Sequence, residues 1–294
     1  MKNFLLFVFF CFIPLSASAF YQPEYQNRGN TNFLDAVCPK PGFLFQNFFF
    51  HFKSVRLKNN HSHTIPGKFK LSVNTNLSNF IYVSSREFLG GLVGAELIVP
   101  VINGHLTTDS PQGVVRDNDH GIGDIFAGGV IQWKKTTLIK FPYYHRFLAG
   151  VVFPTGEYDH KKLFNVGYNF YTFHLYYTFT LFLTSELTTS WRLQYNFHTE
   201  NHEYGIMKDD LKPGELFNVN FSSCYEIKKG IRLGMVGHYW KQTTDDEING
   251  NRLKVGKEQV LGIGPAIILN RKNIFLSFQT LFDTLAKSRP EGNS

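Results

Sequence analysis

The sequence predicts an all-β fold: an antiparallel transmembrane β-barrel of about 12 strands. Three observations predict it. Long stretches alternate polar and apolar residues with a period of two, the N-terminus reads as an export signal with no later spanning helix, and long polar connections alternate with shorter ones along the chain.

The first twenty residues, MKNFLLFVFFCFIPLSASAF, place Lys2 before an apolar run from Phe4 to Ile13 and the small residues Ala17, Ser18 and Ala19 before Phe20. This predicts a signal peptide over 1–19, cut after Ala19. The run is too short to span a bilayer, and Cys11 stands among Phe residues without the small residues that precede a lipoprotein cysteine. No later segment approaches a spanning helix in length. Only helices and closed barrels satisfy every backbone group in lipid, so an exported chain of this kind enters a membrane as a barrel. The predicted destination is the outer membrane of a Gram-negative bacterium.

Residues 20–42 lack a strand period but carry aromatics, which predicts a segment that enters the barrel as a plug. Residues 43–294 form the predicted barrel. No composition shift or linker divides them, and no repeat of 20 to 50 residues is present. The chain has 294 residues, with 31 Phe and 14 Tyr whose surface must be hidden from water. The net charge of +7, or +6 without Lys2, is scattered rather than clustered, which argues against a nucleic-acid partner.

The clearest strand is Glu186 to Phe197. Its even positions are all polar, and its odd positions are apolar except Thr189. Twelve residues match the roughly 9–11 that a tilted strand needs to cross a bilayer. Lys68 to Ser78 alternates as cleanly, with polar even and mostly apolar odd positions. Further strands are predicted near 43–57, 89–101, 122–134, 146–154, 164–180, 214–227, 230–242, 258–269 and 273–283. The polar connections 58–66, 102–120, 154–163, 198–213 and 243–257 fall at one end, and 79–88, 135–145, the stretch near Leu183, 228–230 and 270–273 at the other. Long loops outside and short turns inside are the barrel asymmetry. These strands number eleven, whereas bacterial single-chain barrels have an even count. Either one long segment hides a second strand, or the chain ends before its final strand; Arg289 to Ser294 reads as an outer loop.

With even positions inward, the predicted lumen-lining residues are Lys68, Lys70, Glu96, Asp124, Glu186, Arg192, Gln194 and Arg232. Their mixed charges can pair across a narrow barrel. Cys38 and Cys224 in an oxidising compartment stand either as a bridge or as two free thiols. His61, Ser62 and His63 cluster in a polar loop and offer at most two metal ligands, and no nucleophile and base share a catalytic spacing. The sequence therefore predicts no catalytic, cofactor-binding or metal-binding residue, and no enzyme. Asp245 and Asp246 read as solvated loop residues, with a cation site the lesser alternative.

The stretches HGIGDIFAGGVIQW (120–133), FLAGVVFPTGEYD (147–159), NVGYNFYTF (165–173), HYWKQTTDDEING (238–250), GIGPAI (262–267) and RPEGN (289–293) resemble, in this order, the outer-membrane proteins associated with the meta-pathway of phenol degradation. The opening PKPGFLFQNFFFHF fits the same family. The residues that carry the likeness are Gly123, Asp124, Pro154, Thr155, Gly156, Tyr158, Gln242, Asp245, Asp246, Gly264 and Pro265. Family members continue into another strand after the RPEG loop. The resemblance implies a passive channel for small hydrophobic or aromatic compounds. Its expected partners are outer-membrane lipid and lipopolysaccharide, the barrel-assembly machinery and the solute, with no cofactor. The alternatives are a structural or adhesive barrel acting through its outer loops and, behind it, a secreted soluble β-sandwich.

Overall fold

The computed structural model describes residues 33–37, 40–110, 113–254, 256–271 and 274–294. The predicted signal peptide, Cys38 and most of the predicted 20–42 segment lie outside them.

The described chain forms β1 (Gly42–Leu57), β2 (Phe69–Phe88), β3 (Gly91–Ser110), β4 (Gly113–Ile122), β5 (Ile125–Leu138), β6 (Phe141–Phe153), β7 (Thr172–Phe182), β8 (Leu187–His198), β9 (Asn201–Tyr204), β10 (Asp209–Lys212), β11 (Leu216–Lys228), β12 (Ile231–Gln242), β13 (Glu247–Ile248), β14 (Asn251–Arg252), β15 (Gln259–Arg271), β16 (Ile274–Gln279), β17 (Phe282–Lys287) and β18 (Pro290–Asn293). Twelve wall strands close a ring in the order β1, β2, β3, β5, β6, β7, β8, β11, β12, β15, β16 with β17, and β18, which returns to β1. Each neighbour is antiparallel. β16 and β17 act as one strand interrupted beside Pro265, which has no N–H to give to the ladder. β4 extends the β3 hairpin beyond the wall, and β9, β10, β13 and β14 form a small sheet at the loop end.

The structure supplies the twelfth strand that the count lacked. Pro290 to Asn293 is not an outer loop: it pairs with β1 through Leu57, Arg56, Ser54 and Lys53. Four residues without an alternating pattern gave no periodicity to read. Among the described residues, β1 below Lys53 has a ladder partner only in β2.

Several connections are shorter than predicted. Residues 79–88 continue β2, and the turn is Leu89-Gly90, with φ of 50° and 75°. Two positive φ values make the type I′ geometry that matches strand twist. Likewise 135–145 collapses to a turn at 139–140, and most of 102–120 is strand. In contrast, 154–171 is not strand, so β7 starts at Thr172 rather than near 164.

On β8 the expected faces hold: Thr188, Ser190, Gln194 and Asn196 are buried inward, while Trp191, Leu193 and Phe197 are exposed on the outer wall. On β2 the faces are reversed. Leu71, Val73 and Leu77 point inward, and Lys70, Ser72, Asn74 and Asn76 point out. The turn explains the reversal. A two-residue turn pairs Phe88 with Gly91, so odd β2 residues lie opposite even β3 residues, and the even β3 residues are the buried ones. Between β5 and β6, and between β11 and β12, a bulge brings even positions opposite even ones.

Candidate functional site

The lumen has two unlike walls. Phe52 of β1, Leu71 and Val73 of β2, Ile102 and Leu106 of β3, and Phe126, Val130, Leu148 and Val152 of β5 and β6 form buried apolar clusters. Across from them β7, β8 and β11 present buried Thr178, Thr180, Ser190, Asn196, Asn218 and Asn220.

Two segments enter this space. The first is the turn at 33–37. Phe33 is buried with Cys224, Val236, Ala266, Ile268 and Leu281. The Leu34 and Ala36 amides donate to the hydroxyls of Ser190 and Thr180, each at 3.1 Å, and Gln132 Nε2 donates to the Ala36 carbonyl at 3.0 Å. Between them, Asp35 faces the arginines. Arg192 grips it with two donors, Nη2 to Oδ1 at 2.6 Å and Nε to Oδ2 at 3.1 Å, while Arg146 Nη2 approaches Oδ1 at 3.4 Å and the Thr178 hydroxyl donates to Oδ2 at 2.5 Å. Both guanidiniums lie over the Tyr176 ring, at 4.3 and 5.5 Å. Glu96 is close by, accepting from Asn79 at 2.7 Å and from the Tyr176 hydroxyl at 3.4 Å.

The second segment is the connection 154–171, which folds into the loop end of the barrel. Phe164 and Val166 join the apolar cluster of Leu71, Val73, Ile102 and Leu106. Three carboxylates catch its backbone. Asp117 accepts from the Leu163 and Phe164 amides (2.6 and 3.1 Å), Asp119 from Val166 (3.1 Å), and Asp124 from Gly156 and Tyr168 (2.9 and 3.0 Å). Gly156 and Gly167 touch back to back: a Cβ on Gly167 would stand 2.4 Å from the Gly156 carbonyl oxygen. Asp124 lies in the break between β4 and β5. Burial pushes its carboxyl up to about 6 against the pull of the Gly156 and Tyr168 amides.

At the same end Asp246 is not a solvated loop residue. It is buried, accepting from the Gly214 amide at 2.7 Å and from Gln242 Nε2 at 2.8 Å, while Gln242 Oε1 takes the Glu258 amide at 3.0 Å. Burial also raises its carboxyl to about 6. Asp245 stays nearer solvent, 3.7 Å from Lys257.

Of the residues predicted to line the lumen, Glu96, Arg192 and Gln194 lie inside, and Asp124 closes its loop end. Lys70 faces outward because β2 is reversed, and Lys68 precedes that strand as an exposed loop residue whose amide donates to Asp109 at 2.6 Å. Glu186 falls in the turn before β8, bonded to Ser185 and Thr184, because the strand begins one residue later. Arg232 pairs locally with Glu226 at 2.5 Å near the turn end. Gly123, whose amide donates to the Pro100 carbonyl at 3.0 Å, backs onto Ile102 and Val166. Thr155 bridges the Ile125 amide and the Gly123 carbonyl, beside Pro154, and the Tyr158 hydroxyl donates to the Glu203 carbonyl. Gly264 and Pro265 face the interruption between β16 and β17. Cys224 carries a free, buried thiol 3.0 Å from the Thr188 hydroxyl. The sequence reading missed Asp35, Arg146, Thr178 and the Asp117 and Asp119 contacts. Arg146 was accessible from its even position in a predicted strand; Asp35, in a segment without a period, was not.

A closed antiparallel ring with an apolar outer belt and a lumen occupied by two segments of its own chain defines a membrane-spanning β-barrel. More narrowly, the chain belongs to the family described as "Putative MetA-pathway of phenol degradation", which matches residues 54–294. Among solved structures, the COG4313 outer membrane channel from Pseudomonas putida F1 superposes with a TM-score of 0.73 at 14% identity, over 89% of this chain and 95% of that one. No match is found among curated proteins.

Proposed function

We propose that the protein is an outer-membrane channel through which small hydrophobic or aromatic compounds pass passively. The observation that carries this reading is the apolar inner wall from β1 to β6. A general porin for polar solutes gains nothing from burying Phe, Leu, Ile and Val inward, whereas a greasy solute passing between an apolar and a hydrogen-bonding wall keeps both of its parts solvated. In the conformation described, the 33–37 turn and the 154–171 connection fill this space, so conduction requires them to yield. The similar solved structure, itself an outer membrane channel, supports the reading by its fold.

The test has two stages. Fractionation, with gel mobility of the detergent-extracted protein before and after boiling, should give an outer-membrane band that shifts on heating. Proteoliposomes should then admit benzyl alcohol faster than protein-free liposomes and show no gain for glucose. Equal gains for both solutes would indicate an unselective pore, and no gain for either would remove the channel reading. The small loop-end sheet of β9, β10, β13 and β14 favours a second role as a contact surface; its deletion would then abolish attachment and spare permeation.

A further inference from the structure

We infer that Arg146, Arg192 and Thr178 form a carboxylate-binding site in the lumen, occupied here by the chain's own Asp35, which a small aromatic monocarboxylate can displace. This rests on the channel reading and adds a solute class to it.

The geometry is that of a receptor for a carboxylate. Arg192 makes the side-on, two-donor grip that suits a planar carboxylate, Thr178 adds a hydroxyl donor, and Arg146 supplies a third charge-assisted contact. Arg146 also keeps Nε buried without a hydrogen-bond partner, so the site holds one donor more than Asp35 uses. Both cations lie against the ring of Tyr176, which fixes their position.

The surroundings choose the rest of the ligand. Tyr176 belongs to the same buried cluster as Phe126, Val130, Leu148 and Val152, so an apolar wall begins where the carboxylate site ends. A ring attached to a carboxylate satisfies both. The charges agree. With Asp35 in place, Arg146 and Arg192 are balanced by Asp35 and Glu96; with Asp35 withdrawn, one positive charge is left over, which a monocarboxylate neutralises and a neutral solute cannot. His174 also stands beside the site, with its ring centroid 5.8 Å from that of Tyr176 and 5.2 Å from that of Phe126.

Asp35 competes as a tethered ligand, with an effective concentration on the order of millimolar. Free carboxylate must therefore reach tens of millimolar to displace it from the parent, roughly ten times that value.

The test is calorimetric binding of sodium benzoate and benzyl alcohol to the full chain in detergent, for the parent, Asp35→Ala and Asp35→Ala with Arg192→Gln. Asp35→Ala should bind benzoate at least about tenfold tighter than the parent, the worth of one charge-assisted bond. Benzyl alcohol should bind both alike, and adding Arg192→Gln should erase the gain. Equal benzoate binding in parent and Asp35→Ala overturns the inference, as does an equal gain for benzyl alcohol, which would report a vacated cavity rather than a carboxylate site. Should Asp35→Ala fail to give a heat-shifting barrel, Asp35→Asn keeps the shape and removes the charge. In the parent, tens of millimolar benzoate should speed chymotryptic cleavage after Phe33, which the bound turn buries, where benzyl alcohol does not, and no difference between them counts against the site. Absence of benzyl alcohol flux together with an intact benzoate gain in Asp35→Ala would strike the channel reading alone.

Discussion

At the scale of single residues, the pairing of Asp35 with two arginines shows what alternation can and cannot reveal. Arg192 was legible because its strand alternates without a break, and its inward direction follows from parity. Its partner was not, since a turn of five described residues carries no period and the pairing spans 157 positions. Asp246 shows the opposite error: it sits among loop residues, yet burial decides its chemistry. Asp124 and Asp246 give a test. Their folded values lie near 6, above the ordinary 3.8, so the proton favours the folded loops. The stabilisation they contribute is complete below about pH 4 and is lost as pH rises through about 6. Hydrogen exchange at the Gly156, Tyr168 and Gly214 amides, corrected for intrinsic rates, should show more protection at pH 4.5 than at 7.5. Asp124→Asn and Asp246→Asn should flatten that dependence at their own amides. Protection that grows with pH would contradict it.

At the scale of elements, turns decide which face of a strand meets lipid, and turns were the least legible feature. The strand Lys68 to Ser78 alternates as well as any in the chain, yet its apolar side faces inward, because the Leu89-Gly90 turn sets its register against β3. Here tertiary pairing overrides the inference that the polar side meets the lumen. Lys70→Leu should therefore change stability by no more than about 0.5 kcal/mol, as an outward substitution. Leu71→Lys should cost several kcal/mol, since it buries an unpaired charge among Val73, Phe164 and Phe52. Denaturant unfolding in detergent separates the two, and a reversed order would restore the opposite face assignment. β18 makes a second prediction of this scale. A Cβ on Gly292 would lie 2.3 Å from the Lys53 carbonyl oxygen, so Gly292→Val should prise β18 from β1 and abolish the heat-dependent gel shift.

For the whole molecule, the two inserted segments lie at different depths, which makes them barriers in series. The 33–37 turn contacts residues near the turn end, such as Gln132, Thr180 and Ser190, whereas Phe164 and Val166 pack against Leu71, Ile102 and Leu106 near the loop end. They are held by different forces. The turn is anchored by charge, and removing one partner of such a buried pair costs about 3–5 kcal/mol. The connection is anchored by apolar burial, about 1.5–3 kcal/mol for each large side chain, and by backbone bonds to Asp117, Asp119 and Asp124. Resistances in series predict a particular pattern of flux. Asp35→Ala alone should raise benzyl alcohol flux only slightly, because the loop end still limits passage, and Phe164→Ser with Val166→Ser alone should do the same at the other end. All three substitutions together should raise flux by far more than the product of the separate gains. If either release alone reached the combined rate, a single segment would set the barrier, and the other would serve only to hold the barrel's shape.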